Sequence, residues 1–260
     1  MSFVSIDLNK HGTARITLNR PEVHNALNDI VIQELSDAFN MLGRHGDVRV
    51  IVLSGAGKSF SAGADLTWMQ RAAAQSPEEN QADAVRLAQM FDEINTCPKP
   101  VVGLINGAAL GGGVGLVACC DIAIAATGAV FGLTEVKLGL IPATISPYVV
   151  AKIGTAQARR FMLTGERFDA ATAKAIGLVH EAADDIAAAA QPIIDALLAN
   201  GPEAMADTKR LIRDVDGREL TPELRTMTAA RIATRRASDE GREGIAAFLE
   251  KRKPNWIGDV

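Results

Sequence analysis

Residues 3–8 and 13–18 alternate apolar and polar side chains, a period of two that predicts two strands joined near Gly12. Strands are predicted at 49–54 and 101–105, whose apolar runs Val50 to Leu53 and Val101 to Ile105 read as buried, and at 121–125. Between these runs the period lengthens. Asn28 caps a helix running to about residue 42, and a short helix is expected over 66–73. Ser76-Pro77-Glu78-Glu79 is a capping box with proline at the first helical position. Leu87, Met90, Phe91 and Ile94 then follow at helical spacing until Pro98 and Pro100 stop the helix. Strand, turn and helix repeat in this order, which predicts an α/β fold with mostly parallel pairing. Beyond about residue 143 the pattern is helical, apart from a short apolar stretch at 178–180. Gly201-Pro202-Glu203 and Thr221-Pro222-Glu223 start two helices, and an amphipathic last helix is expected over about 239–251. The pattern divides the chain into a core at 1–200 and a helical region at 201–260. By pattern alone that tail closes the chain's own core or packs on a neighbour.

A chain of 260 residues with 48% hydrophobic content supports a sizeable core, and with 4% aromatics that core is built from Ala, Val, Ile and Leu. The net charge of −4, with no long run of one sign, argues against a general nucleic-acid binder and leaves room for a local basic pocket. Cys97, Cys119 and Cys120 are odd in number and lack metal-ligand spacing. Cys119 and Cys120, adjacent in an apolar run, read as reduced core residues, so a cytoplasmic location is expected. The first eight residues alternate as a strand and do not read as a signal peptide, and no run of eighteen apolar residues occurs.

The candidate chemistry lies in two glycine-rich segments that follow two of the buried runs. One is Ser61-Ala62-Gly63-Ala64-Asp65-Leu66; the other spans Gly107 to Gly115 and contains Gly111-Gly112-Gly113. Each opens a helix-compatible stretch, and a helix N-terminus carries about half a positive charge in unpaired N–H groups. Two such turns together can hold one developing negative charge, and each donor lowers a barrier by about 3–4 kcal/mol. The triplet equally serves to start a helix tightly against a strand. Gly113-Val114-Gly115-Leu116-Val117-Ala118 formally matches a dinucleotide-binding pattern. That pattern must begin at the strand end, however, and here residues 106–112 intervene. Glu135 sits among Leu133, Val136, Leu138 and Leu140. A lone glutamate near a strand end is ordinarily solvated. After two anion-binding turns it reads as a half-buried carboxylate, which burial tunes to take and give a proton near neutrality. His11, His24, His45 and His180 have no metal spacing and belong to no serine or cysteine motif; no G-x-S-x-G elbow is present. An oxyanion site plus one carboxylate outlines an enzyme doing proton chemistry beside a carbonyl.

These segments, together with Asn19 to Leu27, Asp121, Glu135 to Pro142, Leu163-Thr164-Gly165, Ala175 to Val179 and Phe248 to Lys253, resemble the crotonase, or enoyl-CoA hydratase/isomerase, superfamily over nearly the whole chain. The resemblance implies a spiral of ββα turns and an acyl-CoA-binding core. It also implies that 201–260 is a trimerisation region of a homotrimer or dimer of trimers. Coenzyme A would be part of the substrate; no separate cofactor or metal is implied. By position, the oxyanion donors would be the N–H groups of Ala64 and Gly112. Val23, Ala26, Ala62, Gly63, Asp65, Leu66 and Gly111 would line the CoA groove. Phe248 and Lys251 would reach a neighbouring subunit's nucleotide, and Glu135 matches the second catalytic glutamate of the hydratases. Gly115 stands where two-glutamate hydratases carry the first, which suggests space for a bulkier or branched acyl group. Members with only the second glutamate include double-bond isomerases. Residues 111–120 with 141–148 are most similar to bacterial methylglutaconyl-CoA and isohexenylglutaconyl-CoA hydratases of leucine and terpene breakdown. Their substrates carry an extra carboxylate, for which Ser146 or Tyr148 is the expected partner. The resemblance thus leads to hydration of a branched, carboxylate-bearing 2-enoyl-CoA, with isomerisation by Glu135 alone as the alternative. One similar member type is linked to RNA binding, against which the net charge argues. A non-catalytic acyl-CoA-binding protein would have no use for Glu135.

Overall fold

The computed structural model describes residues 2–257. β1 (Val4–Leu8) and β2 (Thr13–Leu18) form the expected antiparallel hairpin, with Val4 opposite Leu18. β3 (Val50–Gly55), β5 (Val101–Ile105), β7 (Ile122–Ala126) and β10 (Glu181–Ala183) extend it in parallel, giving a six-stranded sheet of order β1-β2-β3-β5-β7-β10. The unbroken apolar runs have a physical reason, because this sheet is covered on both faces. Val50, Val52, Val102, Leu104 and Ile124 face α7 (Ile186–Ala199), whereas Ile51, Leu53 and Ile105 face the main core. That core is closed by α1 (Asp29–Arg44), capped by Asn28, and by α3 (Pro77–Thr96), whose capping box at Ser76 and Glu79 is formed.

After each of β3, β5 and β7 the chain turns into a three-residue strand of a second sheet. These are β4 (Ser59–Ser61), β6 (Ala108–Leu110) and β8 (Val130–Gly132), joined by β9 (Arg167–Asp169) in the order β4-β6-β8-β9. β4, β6 and β8 run parallel, and β9 is antiparallel to β8. Helices follow them: α2 (Leu66–Ala73) and α3 after β4, and α4 (Gly112–Cys119) after β6. The result is the spiral of ββα turns expected from the resemblance. α5 (Ser146–Thr164) and α6 (Ala170–Ala175) complete the core.

The apolar stretch at 178–180 leads into β10. Leu178 and Val179 are core side chains on the approach, and pairing with β7 begins only at Glu181. α8 (Pro202–Val215), α9 (Pro222–Ala237) and α10 (Asp239–Glu250) form the helical end of the chain. Residues 258–260 of the expected helical region lie outside the described residues. Lys209 of α8 ties this end to the sheet through Asp121 Oδ2 at 2.6 Å and the Lys99 carbonyl at 3.0 Å. Among the described residues no helix is long and apolar enough to cross a membrane.

Candidate active site

β4, β6 and β8 are adjacent and parallel, so their C-terminal ends lie side by side. Ala62 to Ala64 leave β4, Gly111 and Gly112 leave β6, and Glu135 follows β8. Pairing of the short strands therefore assembles three segments that are far apart in sequence, at the strand ends where parallel sheets place ligands.

The first donor is set by a bridge. Gly63 O accepts from Leu27 N–H at 2.7 Å, and Asp65 N–H donates to Leu27 O at 2.8 Å. Residues flanking a bridged position pair with the partner strand, and the residue between them points its N–H the other way. That residue is Ala64, and among the described residues its N–H has no acceptor. The segment 20–27 is the brace. Arg20 Nη1 donates to Ala26 O at 2.7 Å and Nη2 to Asp65 Oδ2 at 2.9 Å. Buried Asn25 donates to Ala56 O and Ser59 O, and Ser61 Oγ donates to Asn25 O. Asp65 also caps α2 by accepting from Thr67 and Trp68 N–H. Against the opposing pull of burial, Arg20 and these N–H groups hold its carboxyl below the usual range.

The second donor is the first residue of α4. Gly111 N–H is used by Gly132 O at 2.8 Å, while the Gly112 N–H has no acceptor among the described residues. Gly111 is glycine of necessity. Its φ is +50°, and a Cβ there would lie 3.1 Å from Glu135 Oε1 and 4.0 Å from Gly63 Cα. The two turns thus touch each other and the carboxylate.

Glu135 opens a single 3-10 turn, Glu135–Leu138, and is half-buried. Its Oε2 is buried without a hydrogen-bond partner, and burial raises its pKa above the ordinary value. A cavity of about 480 Å³ joins it to Ala62, Gly63, Ala64, Leu66, Gly111 and Gly112. The remaining wall is mostly apolar: Trp68, Met69, Ala72 and Ala73 of α2, Leu87 of α3, and Leu138, Leu140 and Ile141. Asn80, Thr134 and Thr144 add polar groups. Among the described residues Glu135 is the sole carboxylate on this wall, and no lysine or arginine lines it.

The other sequence-derived positions lie elsewhere. Val23 is partly exposed in the 3-10 turn Pro21–Val23, Ala26 is buried in the brace, and the Asp65 carboxylate is engaged by Arg20. Phe248 is exposed on α10 and Lys251 caps that helix, and neither lines the cavity. Two expectations are corrected. Gly115 leaves no free space: it is buried, and a Cβ there would meet Ile145 Cγ2 at 2.2 Å. Ser146 and Tyr148 do not line the cavity that holds Glu135. Ser146 Oγ donates to Ala143 O, and Tyr148 lines a separate hollow with Lys152 and Lys209, because α5 turns it toward α4 and α8. Sequence reasoning missed Trp68, Ile145 and the Arg20–Asp65 brace. It also missed the contact of His24 Nδ1 with Ser59 Oγ at 3.0 Å, which fixes the turn at Asn25. The signal for Asp65 was available, as an aspartate directly before an apolar helical run.

A sequence profile of the enoyl-CoA hydratase/isomerase family matches residues 9–259. An enoyl-CoA hydratase from Shewanella pealeana is 46% identical with a TM-score of 0.96, over 98% of this chain and 96% of that one. Pseudomonas aeruginosa AtuE is 37% identical with a TM-score of 0.94, over 98% and 100%. A crotonyl-CoA hydratase of Syntrophomonas wolfei is 31% identical over 262 residues, 99% of each chain.

Proposed function

From the premise that the chain belongs to the enoyl-CoA hydratase/isomerase family, we propose that it adds water to a 2-enoyl-CoA thioester with an apolar acyl chain. The observation that carries this reading is Glu135, the sole carboxylate among the described residues on the cavity bounded by Ala64 and Gly112. The thioester oxygen accepts from the two free N–H groups, which draws electron density from the β-carbon. Ionised Glu135 holds a water and takes its proton as the oxygen bonds to the β-carbon. The enolate rests on the two donors, and Glu135 returns the proton to the α-carbon. One carboxylate closes the cycle. The same single group favours a second reading, in which Glu135 moves a proton between two carbons and the product is an isomer.

The carboxylate-bearing acyl group of the methylglutaconyl type is the less favoured variant. It would bring a charge against Leu87, Leu140 and Ile141 with only Asn80, Thr134 and Thr144 to receive it. We also propose assembly as a homotrimer or dimer of trimers through α8–α10. In support, α8 buries no residue, α9 only Leu224 and α10 only Ala247.

The test is a panel of linear, branched and glutaconyl-type 2-enoyl-CoA and 3-enoyl-CoA esters. Product mass separates water addition from isomerisation. Glu135→Gln is expected to lower kcat by about 10²–10⁴-fold while ester binding persists. Retention of more than about a tenth of the rate would remove Glu135 from the mechanism.

A further inference from the structure

Gly115 lies one helical turn beyond the Gly112 N–H, on the same side of α4. A Cβ built there would meet Ile145 Cγ2 at 2.2 Å, Ile145 Cβ at 2.9 Å and Phe91 Cε1 at 2.9 Å. The volume of the missing side chain is filled from another element. A second observation concerns that element. Ile145 occupies the N-cap of α5, where Ser, Thr, Asp and Asn are preferred, and it makes no capping hydrogen bond. The helix forgoes its side-chain cap and places an apolar branched group toward α4 instead. Ile145 is 2% exposed, and branching at Cβ restricts its rotamers. It lines the same cavity as Glu135 and Thr144.

We propose that Ile145 is a specificity-determining residue of this site. It closes the cavity beside the reacting carbons and excludes substituents on them. The substrate is then a linear 2-enoyl thioester whose tail runs along Trp68, Met69 and Leu87. The inference rests on the acyl-site reading above. A methyl group on the β-carbon would have to enter a packed wall, and discrimination by one carbon in an apolar pocket is typically about 10–200-fold.

The test compares kcat/KM for two CoA esters that differ by one methyl at the β-carbon, crotonyl and 3-methylcrotonyl, in wild type, Ile145→Val and Ile145→Ala. The branched-to-linear ratio is expected to rise about tenfold or more in Ile145→Ala and by less in Ile145→Val. Inhibition by free CoA should stay the same. An unchanged ratio in both variants of an active enzyme overturns this inference alone. A wild type that converts no CoA ester overturns the acyl-site reading and this inference with it. A measurement independent of turnover accompanies these. Gly115→Ala should lower Tm, and Ile145→Ala should recover part of that loss in the double variant. Strictly additive losses would overturn the packing on which the inference stands.

Discussion

Burial decides what Glu135 can do. Its raised pKa means that the folded chain holds a proton over a range where the unfolded chain has released it. Across that range, from the unfolded carboxylate value up through the folded one, stability falls as pH rises. Glu135→Gln removes the buried charge. Its Tm is expected to exceed that of wild type at neutral pH, with the gap closing below about pH 4, near the unfolded carboxylate pKa. A gap that is absent at pH 7, or reversed, would mean that Glu135 carries no burial cost. The hydration mechanism needs the ionised form, so the acid limb of kcat/KM should lie above the ordinary value of 4.5. Gly111→Ala tests the neighbouring position. It forces a side chain into a φ of +50° and within 3.1 Å of Glu135 Oε1. Urea melts should show a loss of about 1–3 kcal/mol, and kcat should fall more than ester affinity.

At the scale of elements, the site depends on three-residue strands and on the start of α2. Asp65 caps that helix and pairs with Arg20, with both side chains largely buried. Asp65→Asn keeps a capping oxygen and loses the charge, whereas Asp65→Ala loses both. The alanine variant is expected to cost about 1 kcal/mol more than the asparagine variant. Equal urea midpoints would show that the cap is idle. These elements also mark where sequence pattern stops informing. The long strands and α1, α3 and α10 were legible because a two- or 3.6-residue period persists long enough to be counted. Gly63, Gly111, Gly112 and Glu135 were legible because glycine turns and an isolated carboxylate stand out locally. β4, β6, β8 and β9 are shorter than any period can reveal. Ile145 filling the place beside Gly115 was illegible for a different reason. It is a contact across thirty positions, and a glycine looks the same whether space or a neighbour lies beyond it.

At the scale of the whole molecule, the helical end presents its apolar side chains outward. Phe248 is 82% and Leu249 73% exposed. The segment that follows is held against the chain's own fold. Arg252 grips Glu243 through two nitrogens at 2.6 and 2.8 Å, which with the Asn255 N–H lowers the Glu243 pKa to about 2. Arg49 donates to the carbonyls of Asn200 and Trp256. α10 is thus fixed in place while its outer face stays bare, and exposed apolar patches of this kind mark contact surfaces. Phe248→Asp is expected to shift the sedimentation coefficient at micromolar concentration toward that of a single chain, with far-UV circular dichroism unchanged. A wild type that already sediments as a single chain would end the trimer proposal. The pairing of β4 with β6 has a consequence for descent. The unpaired N–H groups of Ala64 and Gly112 are peptide groups, and no substitution short of proline deletes a peptide N–H. Their spacing is inherited with the ladder rather than with any side chain. A lineage can therefore exchange Glu135, or rewrite positions 115 and 145 together, and keep both unpaired N–H groups at every step. On the proposed mechanism the reaction can then change one residue at a time, on a backbone handle that selection does not have to rebuild.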